Sequence, residues 1–130
     1  MIDFKDIEVK FGDFVALRDI NIHVNEGDFF TLLGPSGCGK TTTLRTLVGF
    51  IKPSKGRIFV NDIDITETPI EKRNIAMVFQ SYALFPTLNV YENIAFGLKV
   101  NKTPKSEIRN RVLEIAEKVE LSRDQLTKKV

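Results

Sequence analysis

Nine consecutive residues carry the densest chemistry in the sequence: Gly34, Pro35, Ser36, Gly37, Cys38, Gly39, Lys40, Thr41 and Thr42. Gly34 to Thr41 satisfies the phosphate-loop pattern G-x-x-x-x-G-K-[ST]. A polyphosphate carries several negative charges and many acceptor oxygens. Glycines let a backbone fold around it with N–H groups pointing inward. A helix starting near Lys40 adds the positive end of its dipole and its own unpaired N–H groups. Lys40 supplies a flexible point charge for the terminal phosphates. The Thr41 hydroxyl is placed to ligate Mg²⁺, a hard cation that prefers oxygen. Cys38 sits within the loop, but only its backbone N–H is needed there, so its thiol reads as a bystander.

The pattern gains meaning from the elements around it. Phe29 to Leu33 is a short, nearly continuous apolar run and reads as a strand buried on both faces, as in a parallel sheet. Lys40 to Val48 has good helix formers, with Gly49 as a stop. Strand, glycine loop and helix in succession point to an α/β architecture. Upstream, Ile2 to Phe11 and Val15 to Val24 alternate apolar with polar residues around turns at Gly12-Asp13 and Asn25 to Gly27. They suggest an antiparallel sheet with one wet face. His23, on the polar side of the second run, reads as a surface strand residue. Downstream, Arg57 to Ile65 reads as a strand with a turn at Asn61-Asp62, and Ile75 to Phe79 as a second compact apolar strand. Thr87 is a candidate cap for a helix over about Leu88 to Val100. Pro104 suits the first turn of a helix running to about Glu120, with Ile108, Val112, Ile115, Ala116 and Val119 as its apolar stripe.

Composition excludes several classes. Of 130 residues, 42% are hydrophobic and 28% charged, which argues against disorder of the whole chain. Lysine and arginine number 19 against 17 acidic residues, a net charge of +2 that gives no reason to expect nucleic acid as a partner. The single cysteine forms no internal disulfide and reads as belonging to a reducing compartment. No apolar run approaches the roughly 18 residues of a membrane span, and MIDFKDIEVK does not read as a signal peptide.

Two further residues frame the loop. Phe11 lies just before the Gly12-Asp13 turn. Gln80 follows the Ile75 to Phe79 run and opens the segment Ser81 to Pro86. Together with GPSGCGKTT, MVFQSYALFPTLNVYENIAFGL and GRIFVNDIDIT, this arrangement resembles the nucleotide-binding subunit of ATP-binding-cassette (ABC) transporters, from Ile2 to the end of the chain. The wording is nearest to bacterial importer ATPases that serve polyamines, sugars or ferric iron.

The resemblance implies an incomplete P-loop NTPase fold of the ABC ATPase kind. Residues 1–27 would be its antiparallel β part, 28–80 part of the parallel core around the Walker A loop, and 81–130 the Q-loop and helical subdomain part. Gly34 to Thr42 would bind ATP. Phe11 would stack on adenine, and Gln80 would be the Q-loop glutamine that touches Mg²⁺ or the attacking water. Lys40 and Gln80 are then the catalytic candidates, and Thr41 and Gln80 the Mg²⁺ ligands. The loop from Gln80 to Pro86 and the helices after it would dock on the membrane permease at the cytoplasmic face of the plasma membrane, with a second ATPase subunit as a further partner. The residues by themselves leave other roles open. Phe11 also fits a strand-end core position, Gln80 a solvated amide, and Tyr82 and Phe85 packing against their own helix.

The family's LSGGQ signature, Walker B aspartate, catalytic glutamate and switch histidine have no counterpart in these 130 residues. Ile58 to Asp62 imitates a Walker B strand, but it follows the phosphate loop too closely, lacks a following glutamate, and Asn61-Asp62 is a turn pair. The expectation is the N-terminal portion of a cassette ATPase that binds ATP without efficient hydrolysis. Unpaired apolar strands would favour self-association or strand swapping. The alternatives are a nucleotide-binding fragment with no turnover and another phosphate-loop enzyme, although no guanine-reading NKxD is present.

Overall fold

The computed structural model describes residues 1–130, which form two compact units, Met1–Met77 and Val78–Val130. In the first, β1 (Ile2–Phe11) and β2 (Phe14–Val24) make a hairpin about Gly12-Asp13. A second hairpin joins β3 (Lys55–Val60) to β4 (Ile63–Asp64). Asn61 and Asp62 take φ of 48° and 64° in its turn, the conformation that asparagine and aspartate tolerate best after glycine. All pairings are antiparallel, in the order β2-β1-β3-β4. Phe4, Ile7, Val9, Leu17, Ile58 and Ile65 form the core of this unit. Phe4 and Ile7 both face inward although three residues apart. An irregularity between them, with Asp6 at φ 53°, re-phases the strand.

Helix α1 (Lys40–Val48) packs Leu47 against this core. It ends, as the sequence suggests, at Gly49, whose N–H donates to Arg45 O at 3.1 Å while Phe50 N–H reaches the same oxygen at 2.9 Å. The last carbonyls of α1 are taken by Arg73, a buried side chain just after a 3₁₀ turn at Ile70–Lys72. Its guanidinium donates to Thr46 O at 3.0 Å and Leu47 O at 2.7 Å, and also to Thr66 O at 3.0 Å and Thr68 O at 2.8 Å. Burial draws its pKa down from the ordinary arginine value, and the Glu67 carboxylate opposes that.

Two expected strands do not form. The main-chain groups of Phe29 to Leu33 and of Ile75 to Val78 pair with no other backbone. Phe29 is 96% exposed and Leu33 88%. Apolar composition marks a segment suited to a buried parallel strand, but a ladder needs neighbours on both sides. The antiparallel sheet contributes none to either run.

The second unit holds α2 (Val90–Val100), α3 (Lys105–Lys118) and the short α4 (Arg123–Leu126). Ala95, Ile108 and Val112 form its core with Tyr91, Ile94 and Leu98. The cap of α2 is Asn89, not Thr87. Asn89 Oδ1 accepts from Glu92 N–H at 2.8 Å, and Glu92 Oε2 accepts from Asn89 N–H at 3.0 Å. In α3 the apolar stripe is narrower than expected, since Ile115 and Val119 stay exposed. No helix is long and apolar enough to cross a membrane.

Two outcomes follow from the first unit. Arg73→Met removes the donors from four carbonyls and should lower unfolding stability by about 3 kcal/mol. A loss below about 1 kcal/mol in urea titration would mean that those bonds hold little. His23 sits opposite Asp3 across the β1–β2 ladder. Its Nδ1 lies 2.6 Å from Asp3 Oδ1 and its Nε2 3.1 Å from Asn25 Oδ1. Both ring nitrogens face acceptors, so the bond to Asp3, then that to Asn25, raises its pKa above the ordinary 6.5. The contribution to stability is complete below the unfolded value and fades as pH rises through the folded one. In an NMR titration, Asp3→Asn should return the His23 midpoint toward its ordinary value; an unmoved midpoint excludes the pair as the cause.

Candidate functional site

The start of α1 is built without a stopper. Its N-cap is Gly39, no side chain caps it, and no acidic residue lies in the first turn. The first four N–H groups of any helix lack partners within the helix. Here the backbone N–H groups of Ser36, Gly37, Gly39, Lys40, Thr41 and Thr42 have no protein acceptor. These same residues line a cavity of about 410 Å³. Thr43 and Thr46 turn their hydroxyls back to helix carbonyls, at 3.0 Å to Gly39 O and 2.7 Å to Thr42 O. The Thr41 and Thr42 hydroxyls make no such bond, so oxygen donors as well as N–H groups are free at the helix start. The Lys40 ammonium is held over the loop, donating to Gly34 O and Pro35 O at 2.7 Å each, with Cys38 Sγ at 3.4 Å. A concave run of donors with one cation at its edge suits an anion with several oxygens.

Two glycines are fixed by close approach. Gly39 has φ 94°, and a Cβ there would lie 2.5 Å from Leu17 Cδ2 of β2. Gly34 has φ 153°, and a Cβ would meet Cys38 Sγ at 2.6 Å. The cysteine sulfur thus fills the space that a side chain at position 34 would need. The loop is seated on β2 at one end and closed on itself at the other.

The contact with Leu17 also locates Phe11. Leu17 is paired with Val9, so both side chains face the loop. Phe11 is two residues beyond Val9 on β1 and projects from the same face, some 7 Å further along the strand. Its side chain is 52% exposed, so it is not the strand-end core residue that the sequence also allowed. Phe11 and Gly34 to Thr42 are therefore brought to one end of the first unit.

Gln80 belongs to the second unit, at an exposed turn. Tyr82 and Ala83 beside it take left-handed φ of 59° and 47°, and Tyr82 is 76% exposed. Phe85 packs its ring 4.3 Å from that of Phe96, so of the two loop aromatics one stands free and the other is held. The residue that fixes this loop is Asn93. Its Oδ1 accepts from Phe85 N–H at 2.9 Å, and its Nδ2 donates to Phe85 O, Leu88 O and Asn89 O at 3.0 to 3.2 Å. Nothing local in the sequence marks Asn93 for that task, nor Arg73 for its own.

A family profile described as ABC transporter matches residues 17–130. The chain belongs to the ABC transporter family. It is 53% identical over 111 residues to the spermidine/putrescine import ATP-binding protein PotA of Protochlamydia amoebophila, covering 85% of this chain and 30% of that protein. To the Fe(3+) ions import ATP-binding protein FbpC of Photobacterium profundum it is 48% identical over 118 residues, 91% of this chain and 34% of the relative. The chain therefore spans about a third of the length of these curated relatives. Among solved structures it is similar to the ATP-binding cassette MJ0796 in a dimeric post-hydrolysis state bound to ADP and Pi. The TM-score is 0.84 at 29% identity, over 99% of this chain and 61% of that one. The family and the partial P-loop cassette fold read from the sequence motifs both hold.

Proposed function

We propose that this chain binds Mg-ATP through Gly34 to Thr42 as part of the ATP-binding subunit of a bacterial solute importer. The observation that carries the reading is the set of unpaired N–H groups around the 410 Å³ cavity, with Lys40 at its edge. The triphosphate would lie in that cradle, its oxygens accepting from the loop and from the first turn of α1. Lys40 would exchange the Gly34 and Pro35 carbonyls for terminal phosphate oxygens. The Phe11 ring would lie against the base. The names of the relatives, importers of polyamines and of ferric iron, support import of a small solute as the wider task.

The free Thr41 hydroxyl at the helix start fits Mg²⁺, which keeps waters and takes few protein oxygens beside substrate phosphates. No group of three acidic, histidine or cysteine side chains stands ready to cage a metal by itself, so Thr41 would serve as one ligand among phosphate oxygens and waters. Bound there, the ion would neutralise phosphate charge. Gln80 is proposed as the second oxygen ligand and as the residue nearest the attacking water. Its exposed amide is compatible with both. Phosphoryl transfer rests on positioning and electrostatic stabilisation. With Lys40 and Gln80 but no Walker B or catalytic carboxylate in its sequence, the chain by itself should bind without efficient turnover.

The exposed Tyr82 and the Asn93-held loop from Gln80 to Pro86, with the helices after it, support a permease-docking role at the cytoplasmic membrane face. A second ATPase subunit is the other partner proposed. A further reading, self-association of the isolated chain, is favoured by the unpaired Phe29 to Leu33 segment. An apolar trough of about 360 Å³ runs beside it, with Phe4, Ile22, Leu44 and Leu47 among its walls. Such an edge is a template for a strand of another copy.

Lys40→Ala should weaken Mg-ATP binding at least about tenfold in calorimetric titration, through loss of charge-assisted bonds. Unchanged affinity would remove the loop as the binding site. The same pair of proteins should show no difference in phosphate release, and turnover above the Lys40→Ala control contradicts catalytic incompleteness. For self-association, analytical ultracentrifugation should find oligomers that Leu33→Lys shifts toward monomer; a monomeric parent chain rejects that reading.

A further inference from the structure

Phe11 has a neighbour that the motif reading passes over. β2 begins at Phe14, and Phe14 is the Cα partner of Phe11 across the two-residue turn. Gly12 takes φ 58° in that turn while Asp13 does not take positive φ, the pattern of a II′ hairpin with glycine first. Residues paired directly across a ladder project from the same face, with Cβ atoms some 5 Å apart. Phe14 therefore shares the face of Phe11, which is the face of Val9, Leu17 and the loop contact at Gly39. The extra residue in this stretch lies on β2: β1 steps from Val9 to Lys10 while β2 steps from Leu17 to Val15. The alternation from Val9 to Phe11 is thus undisturbed, and the pair Phe11–Phe14 sets the facing of Phe14.

Both rings are open. Phe14 is 68% exposed, and neither ring makes a ring contact with the other or with any other aromatic. Two phenyl groups at a hairpin tip ordinarily bury part of their surface against each other. Here they make no such contact, at the hairpin tip beyond the Leu17–Gly39 approach, with no hydrogen-bonding group on either side chain. We propose that Phe14 is a second base-contacting residue, forming with Phe11 an apolar platform for the purine of the bound nucleotide. This rests on the phosphate-loop reading above and adds a residue and a specificity to it. Neither ring can read the exocyclic groups of a base, so the platform accepts adenine and guanine alike. Selectivity among purines would need a hydrogen-bond partner at the base edge.

The test compares three ligands on the 130-residue chain in the presence of Mg²⁺: ATP, GTP and inorganic tripolyphosphate, which lacks base and sugar. Phe14→Ala should weaken ATP and GTP by a similar factor, about fivefold or more, and leave tripolyphosphate unchanged. Phe14→Trp should restore nucleotide affinity, which a merely structural role would not require. Thermal melts of both variants should match the parent, because the side chain is exposed. An affinity for ATP relative to tripolyphosphate that is the same with and without the Phe14 ring overturns the proposal. So does Phe14→Ala that loses ATP but not GTP. Failure of the underlying reading has a separate signature: Lys40→Ala would then keep its affinity for tripolyphosphate as well as for ATP.

Discussion

Helix α1 is answered at one end only, and the site depends on that asymmetry. At its C-terminus, where carbonyls concentrate negative potential, the Arg73 guanidinium takes Thr46 O and Leu47 O from within the protein. At its N-terminus no residue does the converse. There is no capping side chain and no acidic residue in the first turn. A helix satisfied at one end and open at the other leaves N–H groups that the chain itself does not take up and that water or an anion can. Because α1 is also fixed to the sheet through Leu47, the open end cannot relieve itself by moving toward another acceptor.

The position of that open end is set by the hairpin as much as by the loop. Gly39 lies so close to Leu17 that no side chain fits between them, and the Leu17–Val9 rung orients both residues. From that one contact the facing of the next residues follows by alternation alone. The hairpin therefore does more than bury a core: its register determines which side chains share the face on which the Gly39 end of the loop is seated. Sliding β1 against β2 by one residue would turn Phe11 to the opposite face from Leu17 and Phe14.

Much of this was legible in the sequence, for physical reasons that differ by element. The loop was plain because its chemistry is local: glycines, lysine and threonine act through backbone within a few residues. The α1 stop at Gly49 and the Asn61-Asp62 turn are also local. Phe29 to Leu33 has the composition of a buried strand but forms none, because composition reports what a segment needs and not whether a neighbour supplies it; its exposed, unpaired state is the one expected where neighbouring strands are lacking. The α2 cap was misplaced at Thr87 although Asn89 and Glu92 have the spacing of a capping box. Arg73, Asn93 and the His23–Asp3 pair were hidden because their partners are fixed only by tertiary folding. Phe14 was missed because the second strand reads from Val15 by alternation, while the ladder begins one residue earlier.

The loop's two ends are secured by unequal means. Its exit is wedged by packing of Gly39 on β2, which no ligand needs to disturb. Its entry follows Phe29 to Leu33, whose backbone pairs with nothing, so the carbonyls of Gly34 and Pro35 are tied to the rest of the loop chiefly through the Lys40 ammonium. One side chain thus serves both the order of the loop and the charge of the site. An anion that draws Lys40 away removes the tie at the entry while satisfying the N–H groups beyond it. The net effect on loop order depends on whether bonds from the phosphate to those N–H groups outnumber the two carbonyl bonds given up. On the proposed reading, an anion with several oxygens can meet more of the six free N–H groups at once than a small monovalent anion can, and so offsets the loss of the two carbonyl bonds better.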